Sequence, residues 1–455
     1  MCTALLLARD GHRVSLIERD RFDAGESTAA TSWERRGIPH FMQPHAFIPR
    51  GRAELRQQLP DVYDALIAAG ASHVDVGPKL PGDARPEDVD LQFMGVRRPL
   101  IEWALRRAVL DEPRIEVHHG VSASGVGLER GRVTSTRFGD SELEVDLVVD
   151  ASGRRTATAD WIGDAAGGET TDCGVIYYSR YYRVRDGIEL PQGPWLLGPR
   201  GDLGYMAYST FPGDNRTFAG LLAVPPGVPG WRLLKNAVAF EAAVASIPML
   251  AGWINEDSVE PLTDVMTMAG LRNTTRHFDP ASTIGLVPVG DALCHTDPVL
   301  AHGLSFALIH AGELAVALRE HVDVGDAACA YTAAVTPALR ERFALASQLD
   351  AQRLRMWLGE PVDFAHRDGD YALFSMVAGA AAATVDPDVA RMFVRRIGLL
   401  DSTTVLDADE TMQRRIEALF QEIAKLPRPA AGPSRDDMMA LTAAAVTDVA
   451  EPAQA

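Results

Sequence analysis

The chain has 455 residues, of which 47% are hydrophobic and 23% are charged, so it can bury large cores in two or three globular domains. Its formal net charge of −18 at pH 7 argues against nucleic acid or an anionic membrane as a partner. The four cysteines show neither CxxC nor zinc spacing, which indicates reduced thiols and a cytoplasmic location. No apolar run reaches the roughly 18 residues of a membrane span, so we expect no stable membrane insertion.

The first twenty residues predict a helix, a tight turn and a strand. Residues 1–9 form a helix that ends before Gly11, and residues 12–17 alternate like a strand that leads into Glu18 and Arg19. This order is typical of the second half of a dinucleotide-binding βαβ unit, in which Glu18 would accept hydrogen bonds from a ribose. The alternative is a solvated acid at the end of a strand.

The strand and the G-x-G-x-x-G turn that usually begin such a unit are not seen before this helix. We therefore expect an open place in the sheet beside the strand at residues 12–17. Two explanations are open: a start codon assigned to an internal methionine, or a decayed gene. The DNA upstream of Met1 would distinguish them.

Residues 24–51 form a polar, proline-containing segment that is too long for a plain connector. After it, Pro60 should break one helix and Pro99 should lie in the first turn of another. In this part of the chain, helices are predicted at residues 55–69 and 96–109, and strands are predicted at residues 115–120 and 131–138.

The middle of the chain predicts a strand followed by a β-rich block. A β-branched run ends at Asp150 and continues into a turn at Gly153. Tyrosines on the later strands are expected in the core and not in catalysis. The predicted elements of the block are strands at residues 173–183, 205–211, 217–224 and 265–273 and a helix at 237–247.

The most informative stretch joins a strand, an acidic turn, a loop and a helix. The apolar run at residues 284–289 ends at Gly290 and Asp291, a loop closes at Pro298, and a helix starts near Gly303. Asp291 lies past the carboxyl end of the strand, where open α/β sheets bind ligands, and it can accept hydrogen bonds from a polyol. The helix start offers free N–H groups and a positive dipole end to an anion.

The C-terminal part of the chain predicts mostly helices. Residues 327–358 are helical with a kink or break at Pro337, and residues 387–426 are helical as well. Residues 427–455 are rich in Pro, Ala and Asp, which predicts a flexible tail.

The stretch at residues 285–311 resembles the second FAD motif of flavoprotein monooxygenases with the p-hydroxybenzoate hydroxylase-like fold, Gly-Asp-Ala followed by Pro-x-x-Gly-x-Gly and a helix. In that family the aspartate holds the ribitol chain and the helix start faces the flavin pyrimidine ring. Ala301 stands where the family usually has its first glycine, and a positive φ there would cost roughly 1 kcal/mol. The flavin contacts implied by this motif are Gly290, Asp291, Pro298, Ala301, Gly303 and Leu304.

The resemblance extends over nearly the whole chain and implies FAD contacts in five other segments. Arg50 is a further candidate in the loop along the isoalloxazine, and Arg97 is the alternative to Arg98. No catalytic residue is identified, since the cofactor carries the chemistry. The implied contacts are Glu18 and Arg19 at the adenosine ribose, Gln43 and His45 along the isoalloxazine, Arg98 at a helix start, Val121 at the adenine, and Asp150 and Gly153 at the pyrophosphate and ribityl chain.

The fold class implied by the resemblance is α/β: a Rossmann-like FAD-binding domain with an inserted antiparallel β-sheet substrate domain and a C-terminal helical region. The expected divisions are residues 1–72, 95–160 and 278–350 for the FAD-binding domain, 73–94 and 161–277 for the substrate domain, 351–426 for the helical region and 427–455 for the tail.

The implied function is that of an FAD-dependent monooxygenase, a hydroxylase or epoxidase. It would transfer one oxygen atom of O₂, through a flavin C4a-hydroperoxide, to a largely apolar small molecule. The central motif reads D-A-S-G-R at residues 150–154, whereas members that handle NADPH on the same chain have D-G-x-x-S-x-V-R. NAD(P)H is therefore expected as the electron donor either directly or, as the motif favours, through a separate flavin reductase.

Two alternatives are open: an FAD-dependent reductase or dehydrogenase on the same fold, and a degenerate flavoprotein that no longer binds FAD. D-A-S-G-R occurs among epoxidase-like, halogenase-like and geranylgeranyl reductase-like relatives. Halogenation is disfavoured because W-x-W-x-I-P is absent, although Lys79 is a candidate for the lysine that halogenases need. A metal site is discounted because Cys294, His295, Asp297 and His302 lack zinc or iron spacing.

Overall fold

The computed structural model describes residues 1–22, 25–33, 35–163, 167–193, 196–427 and 431–450. Its helices are α1 (Cys2–Arg9), α2 (Pro49–Gln58), α3 (Pro60–Ala68), α4 (Arg98–Asp111), α5 (Thr158–Ile162), α6 (Ala237–Ser246), α7 (Pro248–Ala251), α8 (Gly303–Glu320), α9 (Val324–Leu358), α10 (Tyr371–Leu373), α11 (Gly379–Ala382), α12 (Pro387–Ile397), α13 (Thr404–Asp407), α14 (Glu410–Ala424) and α15 (Arg435–Ala450).

The strands of the described part are β1 (Val14–Glu18), β2 (Ser72–Asp75), β3 (Gln92–Gly95), β4 (Ile115–His119), β5 (Ala123–Glu129), β6 (Arg132–Phe138), β7 (Ser141–Glu144), β8 (Val148–Asp150), β9 (Gly168–Asp172), β10 (Ile176–Val184), β11 (Arg200–Asp202), β12 (Ala207–Pro212), β13 (Thr217–Val224), β14 (Val259–Pro261), β15 (Met266–Met268), β16 (Arg272–Arg276), β17 (Leu286–Pro288) and β18 (Cys294–His295).

Two pairs of parallel strands form the α/β part of the fold. β1 pairs with β4, and β8 pairs with β17 so that Asp150 lies opposite Pro288. Helices α1 and α2 both pack against α8, and Leu5, Leu55 and Leu308 belong to one buried cluster. Burying each of these side chains contributes about 1.5–3 kcal/mol. This packing fixes the helix that follows the acidic turn.

A larger antiparallel sheet forms the second part, with the strand order β11-β12-β13-β10-β14 and β15 also paired to β10. Nearly every residue of β13 is buried, so both faces of this strand are covered. Phe240 and Val244 of α6 pack on one face, and the hairpin β2–β3 lies next to β12. The predicted α/β fold with an antiparallel sheet and a C-terminal helical region is confirmed.

Of the kink or break predicted at Pro337, the structure excludes the break. Helix α9 runs without interruption from Val324 to Leu358, although the proline removes one helical hydrogen bond, a loss of about 3 kcal/mol. Val335 and Leu339 are both buried in the main core, so packing on either side of the proline holds the helix. The expected division between residues 350 and 351 therefore falls inside a single helix.

The prediction of a flexible tail at residues 427–455 is wrong for α15. Met438 is fully buried in the same cluster as Phe240, and the Tyr205 hydroxyl donates to the Pro433 carbonyl at 2.7 Å. Alanine-rich composition favours a helix once an apolar side chain can anchor it. Residues 428–430 and 451–455 lie outside the described part.

The single strand predicted at residues 265–273 is also wrong, because two strands occupy this region. Gly270 adopts φ +65° between them. β15 pairs with β10, whereas β16 pairs with β9 and β18. The turn therefore carries the chain from the large sheet to the segment beside the acidic loop.

No helix in the described part of the chain combines the length and the apolarity that a membrane span requires.

Candidate cofactor site

A cavity of about 1900 Å³ lies between the parallel strand pairs and the antiparallel sheet. This volume exceeds the range of pockets for a single drug-sized ligand. Arg50 and Arg97 are not part of its lining. The lining includes every residue predicted to contact FAD: Glu18, Arg19, Gln43, His45, Arg98, Val121, Asp150, Gly153, Gly290, Asp291, Pro298, Ala301, Gly303 and Leu304.

Among the described strands, β1 pairs with β4 alone and β8 pairs with β17 alone, and the two pairs are separate sheets. One edge each of β1 and β8 therefore has no described strand partner, which agrees with the open place expected beside the first strand. Residues 14–18 and 145–150 line the same cavity. The unpaired edges of β1 and β8 are therefore part of its wall.

The acidic turn places a carboxylate above the start of α8. Asp291 makes no side-chain hydrogen bond within the described residues, and its Oδ1 lies 3.8 Å from where a Cβ on Gly303 would be. His302 precedes the helix without a side-chain cap, so the first N–H groups of α8 keep their donor capacity. A free carboxylate beside free N–H donors can hold a ligand that has hydroxyl groups together with carbonyl or anionic groups.

Ala301 adopts the left-handed conformation, with φ +56° and ψ +26°. Ala301 therefore has the positive φ that strains a residue with a Cβ atom, and this strain lowers stability by roughly 1 kcal/mol relative to glycine. The neighbouring structure must hold the strain, and Asp297 does so in part by capping the turn Pro298–Leu300 through the Val299 N–H. The turn brings Pro298 and Ala301 to the cavity wall.

Asp150 lies at the cavity, but its oxygens are bonded within its own turn. Oδ1 accepts from the Ser152 backbone N–H at 2.9 Å and from the Ser152 hydroxyl, and Oδ2 accepts from the hydroxyls of Thr156 and Thr158. Only 5% of the residue is exposed. Asp150 therefore shapes the turn that presents Gly153, which adopts φ +82° with open space where a Cβ would point.

The acid at the end of β1 is already paired. Glu18 Oε2 accepts from Arg35 Nη2 at 3.2 Å, and Oε1 accepts from the Asp20 N–H at 2.9 Å. Arg35 also reaches Asp20 and Glu102, and its side chain is 5% exposed. Sequence reasoning did not identify Arg35, because these contacts join segments far apart in the chain. A ribose would share Glu18 with this arginine.

The two neighbouring arginines at the start of α4 have different surroundings. Arg97 donates to Asp214 with Nη2 at 2.6 Å from Oδ1, and the Asp214 side chain is 1% exposed. Arg98 pairs with Glu102 at 3.0 Å and lines the cavity. The structure therefore favours Arg98 as the cavity residue, as the sequence did.

Histidines beside the cavity are held neutral. His45 Nδ1 lies 2.7 Å from the Gln43 carbonyl, which can only accept, so Nδ1 carries the proton and Nε2 is left as an acceptor. Burial and the charge of Arg98 lower the pKa of both His40 and His45 to about 3. Nδ1 of His40 and of His295 has no hydrogen-bond partner among the described residues. These rings offer uncharged polar groups to a ligand.

Arg276 joins the two turns that border the cavity and was missed from the sequence. Its Nη1 donates to the carbonyls of Asp291 and Ala292, and its Nη2 donates to the Arg154 carbonyl at 2.8 Å. His310 is a second missed residue, since its Nδ1 accepts from the Gly290 N–H at 2.8 Å. Neither position carries a local signal, because each acts on a segment distant in sequence.

The antiparallel sheet supplies an apolar part of the cavity wall. Phe211, Met268 and Leu271 line it opposite the acidic loop. Gln43 lies nearby with its Oε1 bonded to the Ser179 hydroxyl at 2.8 Å, which anchors the loop to β10. The cavity is thus polar along the strand ends and apolar toward the sheet.

Comparison with known proteins identifies the fold. No model of a protein family matches the chain. Protein Rv3254 of Mycobacterium tuberculosis is 24% identical over 452 residues, which cover 91% of this chain and 90% of that protein.

Three solved structures show the same architecture. The flavin-dependent brominase Bmp2 has a TM-score of 0.61 at 18% identity and covers 93% of this chain and 95% of its own. PqsL of Pseudomonas aeruginosa, a probable FAD-dependent monooxygenase, has a TM-score of 0.56 at 15% identity, covering 79% and 95%. 2-Methyl-3-hydroxypyridine-5-carboxylic acid oxygenase has a TM-score of 0.55 at 17% identity, covering 78% and 89%. The chain has the fold of the flavin-dependent monooxygenases.

Proposed function

We propose that this protein binds FAD in the cavity and acts as an FAD-dependent monooxygenase on a largely apolar small molecule. The observation that carries the proposal is the convergence of fourteen residues, chosen from separate sequence segments as FAD contacts, on one cavity. The monooxygenase fold supports the reaction class. Hydroxylation and epoxidation are both compatible with this site.

The donor set of the cavity fits FAD. Asp291 has free carboxylate oxygens for a polyol, and the uncapped start of α8 has free N–H groups for ring carbonyls. Gly153 leaves open space where a side chain would block a close approach. Unpartnered ring nitrogens on His40 and His295 need a partner that a polar ligand can supply.

Each part of the site has a distinct task in this proposal. Asp291 orients the ribityl chain, and Arg98 offsets negative charge near it. Bound FAD would supply the activation of O₂ and the transfer of one oxygen atom. The apolar wall of Phe211, Met268 and Leu271 positions the substrate and excludes water, which would otherwise divert the reaction.

The apolar part of the cavity wall supports a proposal for the class of substrate. Phe211 and Met268 of the large sheet and Leu271 after it are apolar, so a substrate with few charges would bind against them with the least loss of hydration. PqsL has been crystallised with 2-aminobenzoylacetate, so a cavity on this fold can hold a small aromatic molecule. From the apolar wall, we infer a small, largely apolar organic substrate for this chain.

Electron supply is the second part of the proposal. The D-A-S-G-R turn at residues 150–154 differs from the form of members that use NADPH directly. We expect NADPH alone to bleach the flavin slowly and a separate flavin reductase to speed the reduction. Fast, stoichiometric bleaching by NADPH without a second protein would contradict this part.

The test of the proposed function combines a spectrum with oxygen uptake. Purified protein reconstituted with FAD should retain flavin absorption after removal of free FAD. With a flavin reductase, NADPH and a panel of apolar aromatic and alkene substrates, oxygen uptake should give an oxygenated product. Substrate turnover that continues without O₂ would favour the reductase or dehydrogenase alternative. Loss of all flavin absorption would favour the alternative of a degenerate flavoprotein that does not bind FAD.

A further inference from the structure

A group of charged side chains is buried behind the acidic loop and reaches the cavity through Asp297. Asp350 and Arg353 lie on α9, and Asp297 lies on the loop after β18. The side chains of both aspartates are fully buried, and that of Arg353 is 8% exposed. A single nitrogen, Arg353 Nη2, donates to Asp297 Oδ2 at 2.7 Å and to Asp350 Oδ1 at 2.8 Å.

Neutral groups complete the cluster. The Tyr177 hydroxyl of β10 donates to Asp297 Oδ1 at 2.6 Å. Asn273 of β16 donates from Nδ2 to Asp350 Oδ2 at 2.8 Å, and its Oδ1 accepts from the Asp297 N–H at 2.6 Å. The cluster thus connects α9, two sheets and the loop that borders the cavity.

The charges in this cluster do not balance if both acids are ionised. Two carboxylates would face one guanidinium, and the tyrosine and the amide carry no charge. An uncompensated charge in such a buried place is costly, and two carboxylates that share a site favour holding one proton between them.

We propose that Asp350 is a neutral carboxylic acid that donates its proton to Asp297, and that this shared proton positions the loop at residues 294–303 against the cavity. Asp350 is then a positioning residue, which acts through Asp297. Its effect on cofactor binding rests on the proposed function, whereas the shared proton itself does not.

The electrostatic surroundings agree with this assignment. Burial and the charge of Asp297 raise the pKa of Asp350 to about 9. Burial alone would raise the pKa of Asp297. The charge of Arg353 and the hydrogen bonds to the Asp297 carboxylate instead hold this pKa below its usual value. Burial raises the pKa of Tyr177 and of Cys173, so both stay neutral.

One further acid approaches from the large sheet. Asp202 of β11 accepts from the Trp357 indole N–H at 2.9 Å, and burial raises its pKa. The Arg353 guanidinium lies 5.0 Å from the centre of the same Trp357 ring. The infrared test below therefore includes Asp202→Asn, so that a band from Asp202 can be told from the band of Asp350.

The loop is attached to α9 at two points. Asp297 reaches Arg353, and Leu300 packs with Leu345 and Leu349 in one buried cluster. Between them, Asp297 caps the turn that leads to the strained Ala301 and the start of α8. Ionisation of Asp350 would add a second negative charge beside Asp297 and weaken one of these attachments.

The sign of the pH effect follows from proton binding. The folded chain keeps the proton on Asp350 up to about pH 9, whereas an unfolded aspartate loses it near pH 4. Between these values the folded state binds more protons, so stability falls as the pH rises. One proton changes the unfolding equilibrium constant by about tenfold per pH unit.

The experiment compares the wild type with Asp350→Asn in the full chain without added FAD. Asparagine keeps the shape and a donor toward Asp297 but cannot ionise. Urea unfolding gives the unfolding equilibrium constant of each protein at each pH. The constant of the wild type divided by that of the variant should rise about a thousandfold from pH 5 to pH 8. A ratio that does not change with pH would overturn the proposal. Asp186→Asn, an exposed position, is the matched control and should leave the ratio nearly flat.

A second measurement keeps the proposal testable if Asp350→Asn does not fold. The wild type at pH 7 should show the infrared carbonyl band of a protonated carboxylic acid, which disappears above pH 9. Absence of a band that titrates in this range would overturn the shared proton. The same band should remain in Asp202→Asn and should be missing in folded Asp350→Asn.

The positioning role has its own readout. The FAD affinity of the wild type should fall above pH 9, and that of Asp350→Asn should not. An equal fall in both proteins would overturn the positioning role. If neither protein binds FAD, the proposed function fails, while the unfolding and infrared results still decide whether the proton is shared.

Discussion

The two turns at the ends of β8 and β17 look alike in sequence and differ in structure. The strands run side by side, and each is followed by a turn that contains an aspartate and a glycine. Asp150 is bonded to three side chains of its own turn and to one N–H, whereas Asp291 has no side-chain hydrogen bond in the described residues. One carboxylate builds its turn, and the other remains free for a ligand.

The two arginines at the start of α4 show the same contrast, and a change in one of them gives the largest expected effect. Arg97→Gln removes the partner of the buried Asp214 and should lower the free energy of unfolding by about 3–5 kcal/mol, since a buried charge is left unpaired. Urea unfolding measures the loss. Arg98→Gln is the control and should cost less, because Glu102 keeps Arg35 as a partner. Equal losses would contradict the distinction.

Asp150→Ala tests the aspartate that builds its turn. The change leaves the hydroxyls of Ser152, Thr156 and Thr158 without their acceptor, so the free energy of unfolding should fall by about 2–4 kcal/mol even without FAD. Chemical denaturation of the protein without cofactor is the measurement. A loss below about 0.5 kcal/mol would show that these bonds do not hold the turn.

Asp291→Ala tests the free aspartate and should give the opposite result. Stability without FAD should change by less than about 0.5 kcal/mol, because no described hydrogen bond is lost. FAD binding should weaken by about 1.5–3 kcal/mol, the contribution of a charge-assisted hydrogen bond. Fluorescence titration with FAD measures the second effect, and an unchanged affinity would remove Asp291 from the site.

Ala301→Gly gives the smallest expected effect. Glycine relieves the strain at φ +56° but adds freedom to the unfolded chain, so the protein should become more stable by at most about 1 kcal/mol. Ala301→Val is the control and should destabilise, because a β-branched residue fits this conformation poorly. Thermal or urea unfolding separates the three proteins. A loss of stability with glycine would contradict the account of this turn.

The fold and the segments that line the cavity were predicted from the family resemblance that short sequence motifs carry. The acidic turns, the position of Ala301 and the choice of Arg98 over Arg97 all followed from these motifs. Their geometry follows from strand ends, helix starts and glycine positions, which short stretches of sequence encode.

Features that depend on distant contacts could not be predicted. Arg276 and His310 act on turns far from them in sequence. Whether the carboxylate oxygens of Asp150 are all hydrogen-bonded depends on which hydroxyls its turn brings near. The continuity of α9 through Pro337 and the packing of α15 depend on partner surfaces. Tertiary packing overrides local propensity at both places.

The most direct test of the central claim is an equilibrium titration of the wild type with FAD, alongside FMN. Glu18 and Val121, which we propose for the adenosine end, and the residues around Asp291, proposed for the flavin end, lie in one cavity, so FAD should bind and FMN should bind more weakly. Equal affinity for FMN would show that the adenosine end is not used. Absence of FAD binding would contradict the assignment of this cavity as a flavin site.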